Sequence, residues 1–152
     1  MQKEILLETK IGYNLARVGL LSKLYAIQSL NAAACPITPE QYTVLAVLAN
    51  HGAIYQRQIS AITLKDRANV KRILSILEKL ECITKKADSN GKKIYKIDIT
   101  EKGKRIYEET QPQILKVWEE SIQGISDDEI LVFNKMLTKI TENLKDKVNI
   151  QI

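Results

Sequence analysis

After Leu80 the apolar pattern of this chain changes from a helical period to a period of two, and after Ile99 it changes back. Upstream, Val70, Ile73, Leu74, Leu77 and Leu80 recur at the steps that place them on one helical face. Downstream, Cys82-Ile83-Thr84-Lys85-Lys86 reads as a strand, Lys92 to Ile99 as a second, and Asp88-Ser89-Asn90-Gly91 as the turn between them. Asn-Gly suits that place because a tight hairpin requires positive φ at both central residues. The pattern predicts a mainly α chain with one small β-hairpin.

The helices around the hairpin carry their own boundaries. Ile11, Leu15, Val18, Leu21 and Tyr25 form one stripe of a helix over about Ile5 to Leu30, with Leu20, Leu24 and Ile27 widening it before Asn31 to Pro36 breaks it. Thr38-Pro39-Glu40-Gln41 starts a second helix: a hydroxyl cap, proline at the first position, and Gln three residues after the cap. That helix turns Tyr42, Val44, Leu45 and Leu48 inward and stops at Asn50-His51-Gly52. A short helix over about Gln56 to Leu64 and a polar turn, Lys65 to Ala68, lead into the helix whose front begins Arg67, Asn69, Lys71, Arg72. Thr100 caps a helix through Tyr107, which Pro112 is expected to interrupt or kink before it resumes over Ile114 to Ile122. Ser126-Asp127-Asp128-Glu129 is a capping box, and Ile130, Phe133, Leu137, Ile140 and Leu144 form a narrow seam suited to helix-on-helix association.

Charge distribution narrows the function. Between Arg57 and Arg105 there are 14 Lys or Arg against 6 Asp or Glu, while the remainder has 9 against 12. A net +5 chain thus gathers its positive charge into one third of its length, which suggests a localised polyanion-binding surface against the plain alternative of solvated lysines that bind nothing. At 152 residues, 45% hydrophobic and 27% charged, the chain is sized for one globular unit and not for two enzymatic domains. No apolar run approaches the ~20 residues of a membrane span, and Met1 to Ile5 does not begin a signal peptide, so a cytoplasmic location without membrane partners is expected.

Four blocks in order resemble the multiple-antibiotic-resistance regulator (MarR) family of bacterial winged helix-turn-helix proteins. They are Ile37-Thr38-Pro39-Glu40-Gln41-Tyr42-x-Val44-Leu45-x-x-Leu48, Lys65 to Leu74, Leu77-Glu78-Lys79, and Ile99-Thr100-Glu101-Lys102-Gly103. The resemblance implies residues 37–103 as a DNA-binding lobe, with 1–36 and 104–152 as dimerisation helices of one integrated domain. It implies a homodimer setting two recognition helices into adjacent major grooves of a near-palindromic site, as a transcription regulator and repressor. The wing tip departs from the family's Asp-Arg-Arg, reading Gly91-Lys92-Lys93, which keeps charge but loses the bidentate fork of Arg. The family's glycine after the recognition helix falls at Glu81, and its Thr before Arg72 is Lys71.

The expected site follows from groove chemistry. Arg67, Asn69 and Lys71 are assigned to base edges or nearby backbone, since Arg suits guanine and Asn adenine. Ala68 is small enough to approach the duplex or meet a thymine methyl. Arg72 and the wing lysines Lys86, Lys92 and Lys93 are assigned to phosphates. Family resemblance further suggests a small aromatic effector lined by Tyr13, Tyr25, Tyr42 and Trp118, against the plain alternative that these rings are packing. Two cysteines, Cys35 and Cys82, lack C-x-x-C spacing and read as reduced thiols, and lone His51 as a turn residue. No catalytic motif, cofactor or metal is expected. The competing readings are a winged-helix module that binds protein and a non-specific DNA-architectural protein.

Overall fold

The computed structural model describes residues 2–87 and 95–148, and only the backbone for residues 2–9. Six helices and three strands follow one another in the described chain. They are α1 (Gln2–Ala32), α2 (Pro39–His51), β1 (Ile54–Tyr55), α3 (Gln56–Thr63), α4 (Arg67–Lys79), β2 (Ile83–Ala87), β3 (Tyr95–Ile99), α5 (Glu101–Ser121) and α6 (Asp127–Lys145).

The local signals explain most of these limits. Thr38 caps α2 by accepting from the Gln41 amide at 3.3 Å, while the Gln41 side chain accepts from the Thr38 amide at 3.0 Å. Thr100 caps α5 through the Gly103 amide at 2.9 Å, and Ser126 with Glu129 forms the reciprocal box that starts α6. Helix α3 ends on Leu64 in the left-handed conformation, φ 53°, and α4 restarts after Asp66, whose carboxylate accepts from the Asn69 amide at 2.8 Å. A hydrogen bond from Gln56 Nε2 to the Arg67 carbonyl, 3.2 Å, ties the starts of the two helices together.

Between the helices lies a three-stranded antiparallel sheet in the order β1-β3-β2. The hairpin of β2 and β3 pairs Ile83 with Ile99 and Ala87 with Tyr95. Strand β1 was not expected from the sequence; it is two residues long and adds Ile54 opposite Ile97. The predicted Asn90-Gly91 turn and residues 92–94 of the predicted second strand lie outside the described residues.

One core unites the middle of the chain. Val44, Leu45 and Leu48 of α2, Ile59 of α3, Val70, Ile73, Leu74 and Leu77 of α4, and Ile83, Ile97 and Ile99 of the sheet are all buried in it. Cys82 belongs to the same core, and burial pushes its thiol pKa up, in keeping with a small hydrophobe.

The expected interruption at Pro112 does not occur, because α5 runs through it from Glu101 to Ser121. Proline costs a helix one N–H and crowds the preceding turn, yet this helix is held along α1 and buries Thr110 and Val117 on either side of the break. Tertiary packing outweighs the local penalty. The outer helices are otherwise sparsely covered. Among its described side chains, α1 buries only Leu30, α6 buries none, and α6 meets no other described element beyond marginal contact.

Candidate nucleic-acid interface

Helix α4 is divided lengthwise. Val70, Ile73, Leu74 and Leu77 anchor its back in the core, and 3.6-residue periodicity then turns Arg67, Ala68, Lys71 and Arg72 outward. Asn69 is partly covered. Its backbone amide binds the Asp66 cap and its side-chain oxygen accepts from Arg72 at 3.2 Å. All five residues expected at the recognition surface therefore lie in the first two turns of one helix, with four of them exposed. Ser75 extends the exposed front by another turn and was not singled out in the sequence.

The wing presents a second basic surface. Side chains alternate across a strand, so Ile97 and Ile99 of β3 enter the core while Lys96 and Asp98 face away from it. Lys86 is opposite Lys96 in the ladder, and like charges directly opposed destabilise a sheet. Asp98 relieves part of this at 3.9 Å from Lys86, and the Lys96 ammonium sits 5.4 Å from the Tyr55 ring centroid. Lys86 is in the expected place; Lys96 escaped the sequence reading because nothing local marks which cross-strand neighbour it meets. Lys92 and Lys93 lie outside the described residues. An ion pair between Lys85 and Glu78 links the wing to α4.

Behind this face, Glu40 in the first turn of α2 receives three cations. Lys23 of α1 is 3.1 Å away, Lys65 of the α3–α4 turn 3.3 Å, and Arg72 of α4 3.7 Å. The bond from Lys23, then the nearby Lys65, hold the Glu40 carboxyl below its ordinary pKa against the opposing effect of partial burial. The sequence shows Glu40 only as part of a helix start, since its partners lie 17, 25 and 32 residues away.

The four aromatic residues expected around an effector do not form one group. Tyr42 stacks on Tyr107, with centroids 5.2 Å apart, at the edge of the core; burial, then the neighbouring Tyr107, push its phenol up to about 12. It is a packing residue, because the helical step that brings Val44 and Leu45 inward also brings Tyr42 against α5. Tyr13 and Trp118 are exposed. Tyr25 alone of the four lines a cavity of about 450 Å³ between α1 and α5, together with Gln28, Ser29, Gln113 and Lys116, and its hydroxyl donates to Glu120. Those polar residues were missed because they face each other across two helices distant in sequence.

Among the described residues no group of His, Cys, Asp and Glu could hold a metal, and no helix is long and apolar enough to cross a membrane. Cys35 is half-buried and His51 exposed at the end of α2.

Residues 36–94 match the model described as MarR family. The chain is 28% identical over 103 residues to the uncharacterized HTH-type transcriptional regulator YwaE of Bacillus subtilis, covering 68% of this chain and 60% of that relative's length. Among solved structures it is similar to BpsR of Bordetella bronchiseptica, whose DNA binding is regulated by 6-hydroxynicotinic acid. The TM-score is 0.80 at 20% identity, covering 87% of this chain and 98% of BpsR. A mutant MarR of E. coli complexed with operator DNA superposes with a TM-score of 0.78 at 18% identity, covering 86% of this chain and 93% of that one. At such identities the structural likeness establishes the winged-helix fold.

Proposed function

We propose that this chain, whose residues 36–94 match the MarR family model, is a DNA-binding winged helix-turn-helix transcription regulator of that family and acts as a homodimeric repressor on a near-palindromic operator. The observation that carries this reading is the division of α4, with an apolar back locked in the core and Arg67, Asn69, Lys71 and Arg72 gathered in its first turns. Arg67, Asn69 and Lys71 serve base edges or the backbone beside them, with Ala68 close to the groove floor. Arg72, Lys86, Lys92 and Lys93 serve phosphates, which position the protein without reading sequence. The opposed Lys86 and Lys96 support the wing's part in this, because a phosphate between them would relieve their repulsion.

The dimer reading rests on exposed apolar side chains of the outer helices, among them Val18, Leu21 and Leu24 on α1 and Phe133 and Met136 on α6. The open groove between α1 and α5 is the place for a small aromatic effector in this reading, with the Tyr25 ring as a stacking face and Lys116 as a charge. Binding there would bear on both the dimer helices and the attached lobe, and a melting-temperature screen of aromatic acids tests it through stabilisation of the folded state.

Selection of bound sequences from random duplex DNA tests the main reading. A two-fold symmetric motif is expected. Replacing Asn69 with Ala should erode discrimination by ~1–3 kcal/mol at one base position per half-site. Replacing Lys86 should weaken all duplexes alike and lower the salt slope by about 1 per subunit. Equal affinity for random and selected duplex would indicate an architectural protein. Undiminished function after charge reversal of Arg67 and Lys71 would indicate a protein-binding module.

A further inference from the structure

Glu40 joins four segments, adding polar links to the packing of α2 against α1, α3 and α4: α1 through Lys23, its own α2, the α3–α4 turn through Lys65, and α4 through Arg72. The other ion pairs among the described residues lie within one helix, within the hairpin, or between neighbours around α4, the wing and the start of α5. The centre of the cluster is sheltered, with the side chains of Glu40 and Lys65 only 26% and 20% exposed. Its outer members, Lys23 and Arg72, are 54% and 66% exposed and come from different elements, one from the long outer helix and one from the helix that carries the basic front. α1 and α4 share no extensive packing with each other; α2 packs against both, and the ion cluster runs along that same path.

We propose that Glu40 is a positioning residue for DNA recognition, a carboxylate clamp between α1 and α4 that sets the separation and phase of the two recognition helices in the dimer. The inference rests on the dimeric reading above. A sheltered carboxylate with three cationic partners resists displacement in every direction in which one of them would be pulled away, and Glu40 is on the path from one subunit's α4 to the dimer helices. If the clamp is released, α4 keeps its core packing on α2 and its base contacts, but the lobe is held less tightly to α1, with only the remaining packing to fix its angle. Specificity for half-site spacing is then lost before affinity.

The test uses the duplex selected from random DNA and the same duplex with one base pair inserted at its centre. That insertion moves the half-sites apart by ~3.4 Å and rotates them by about 34°. The wild-type protein should bind the inserted duplex about 100-fold more weakly, and Glu40→Gln should shrink this ratio to less than about tenfold. Freed cations or a general loss of stability would change both affinities together and leave the ratio alone. Lys23→Met, which cuts the α1 arm of the clamp without touching the DNA face, should shrink the ratio as well, and the double variant should go no further than Glu40→Gln. An unchanged ratio in Lys23→Met overturns the clamp whether or not Glu40→Gln folds, as does an unchanged ratio in a folded Glu40→Gln protein. A selection that returns no two-fold motif overturns the dimeric reading, and this inference with it.

Discussion

Gly103 is where one carbon atom decides whether the first turn of α5 can reach the sheet. A Cβ there would stand 2.1 Å from the Cys82 carbonyl oxygen and 2.9 Å from Ile99 Cγ1. That carbonyl already accepts the Thr100 amide at 3.0 Å, so it cannot swing away without breaking the cap region. In an open helix Gly→Ala gains about 1 kcal/mol, but here overpacking against backbone reverses the sign. Gly103→Ala should therefore destabilise by about 3 kcal/mol, read by denaturant unfolding; a stabilised variant would mean that α5 can slide. Glu81 poses the complementary question. It holds φ 60°, a left-handed conformation that glycine adopts freely, at the position where the resemblance places a family glycine. The turn geometry is kept and the residue is strained. Glu81→Gly should raise the melting temperature despite losing the exposed pair with Lys102, and a lowered one would show that the pair outweighs the backbone strain.

At the scale of elements, the capped starts of α2, α5 and α6 were legible because a cap is a local device: the side chain that satisfies the orphan amides sits within three residues of them. The apolar stripe of α4 was legible for the same reason, since its periodicity names the buried face and leaves the front by subtraction. Strand β1 was not legible, as two residues show no alternation and its pairing with β3 is more than forty residues distant. Helix α5 marks where local reading misleads. Pro112 removes the amide that would bond the Glu108 carbonyl, and the helix persists only because α1 and the core hold both of its halves. Pro112→Ala restores the bond and removes the ring clash, so a stabilisation of about 1–3 kcal/mol is expected in equilibrium unfolding. Loss of stability would instead show that the surrounding helices require the proline's geometry.

The whole molecule exposes more surface than its mass accounts for. A compact monomer of 17.3 kDa presents about 7,800 Å². This chain presents 11335 Å², and α6 and much of α1 display apolar side chains on it. Part of that excess corresponds to the ~1,000–2,500 Å² that each partner buries in an obligate dimer, and the exposed apolar side chains of α1 and α6 are where it would be buried. The melting temperature should then rise with protein concentration, and Phe133→Asp with Met136→Asp should yield a weakly stable monomer by sedimentation; a concentration-independent melt with a monomeric wild type would contradict the dimer. Sequence by itself determined the order of the helices and the hairpin, though not β1 or the continuity of α5, together with the buried face of α4 and the basic third of the chain, because caps, turns and periodicities are set by residues a few positions apart. Only the tertiary structure decided that Tyr42 is packing while Tyr25 lines a cavity, that Lys86 faces Lys96, and that Lys23, Lys65 and Arg72 meet on Glu40. Those outcomes depend on which surfaces the packed helices bring together across long stretches of chain, and side-chain spacing carries no record of them.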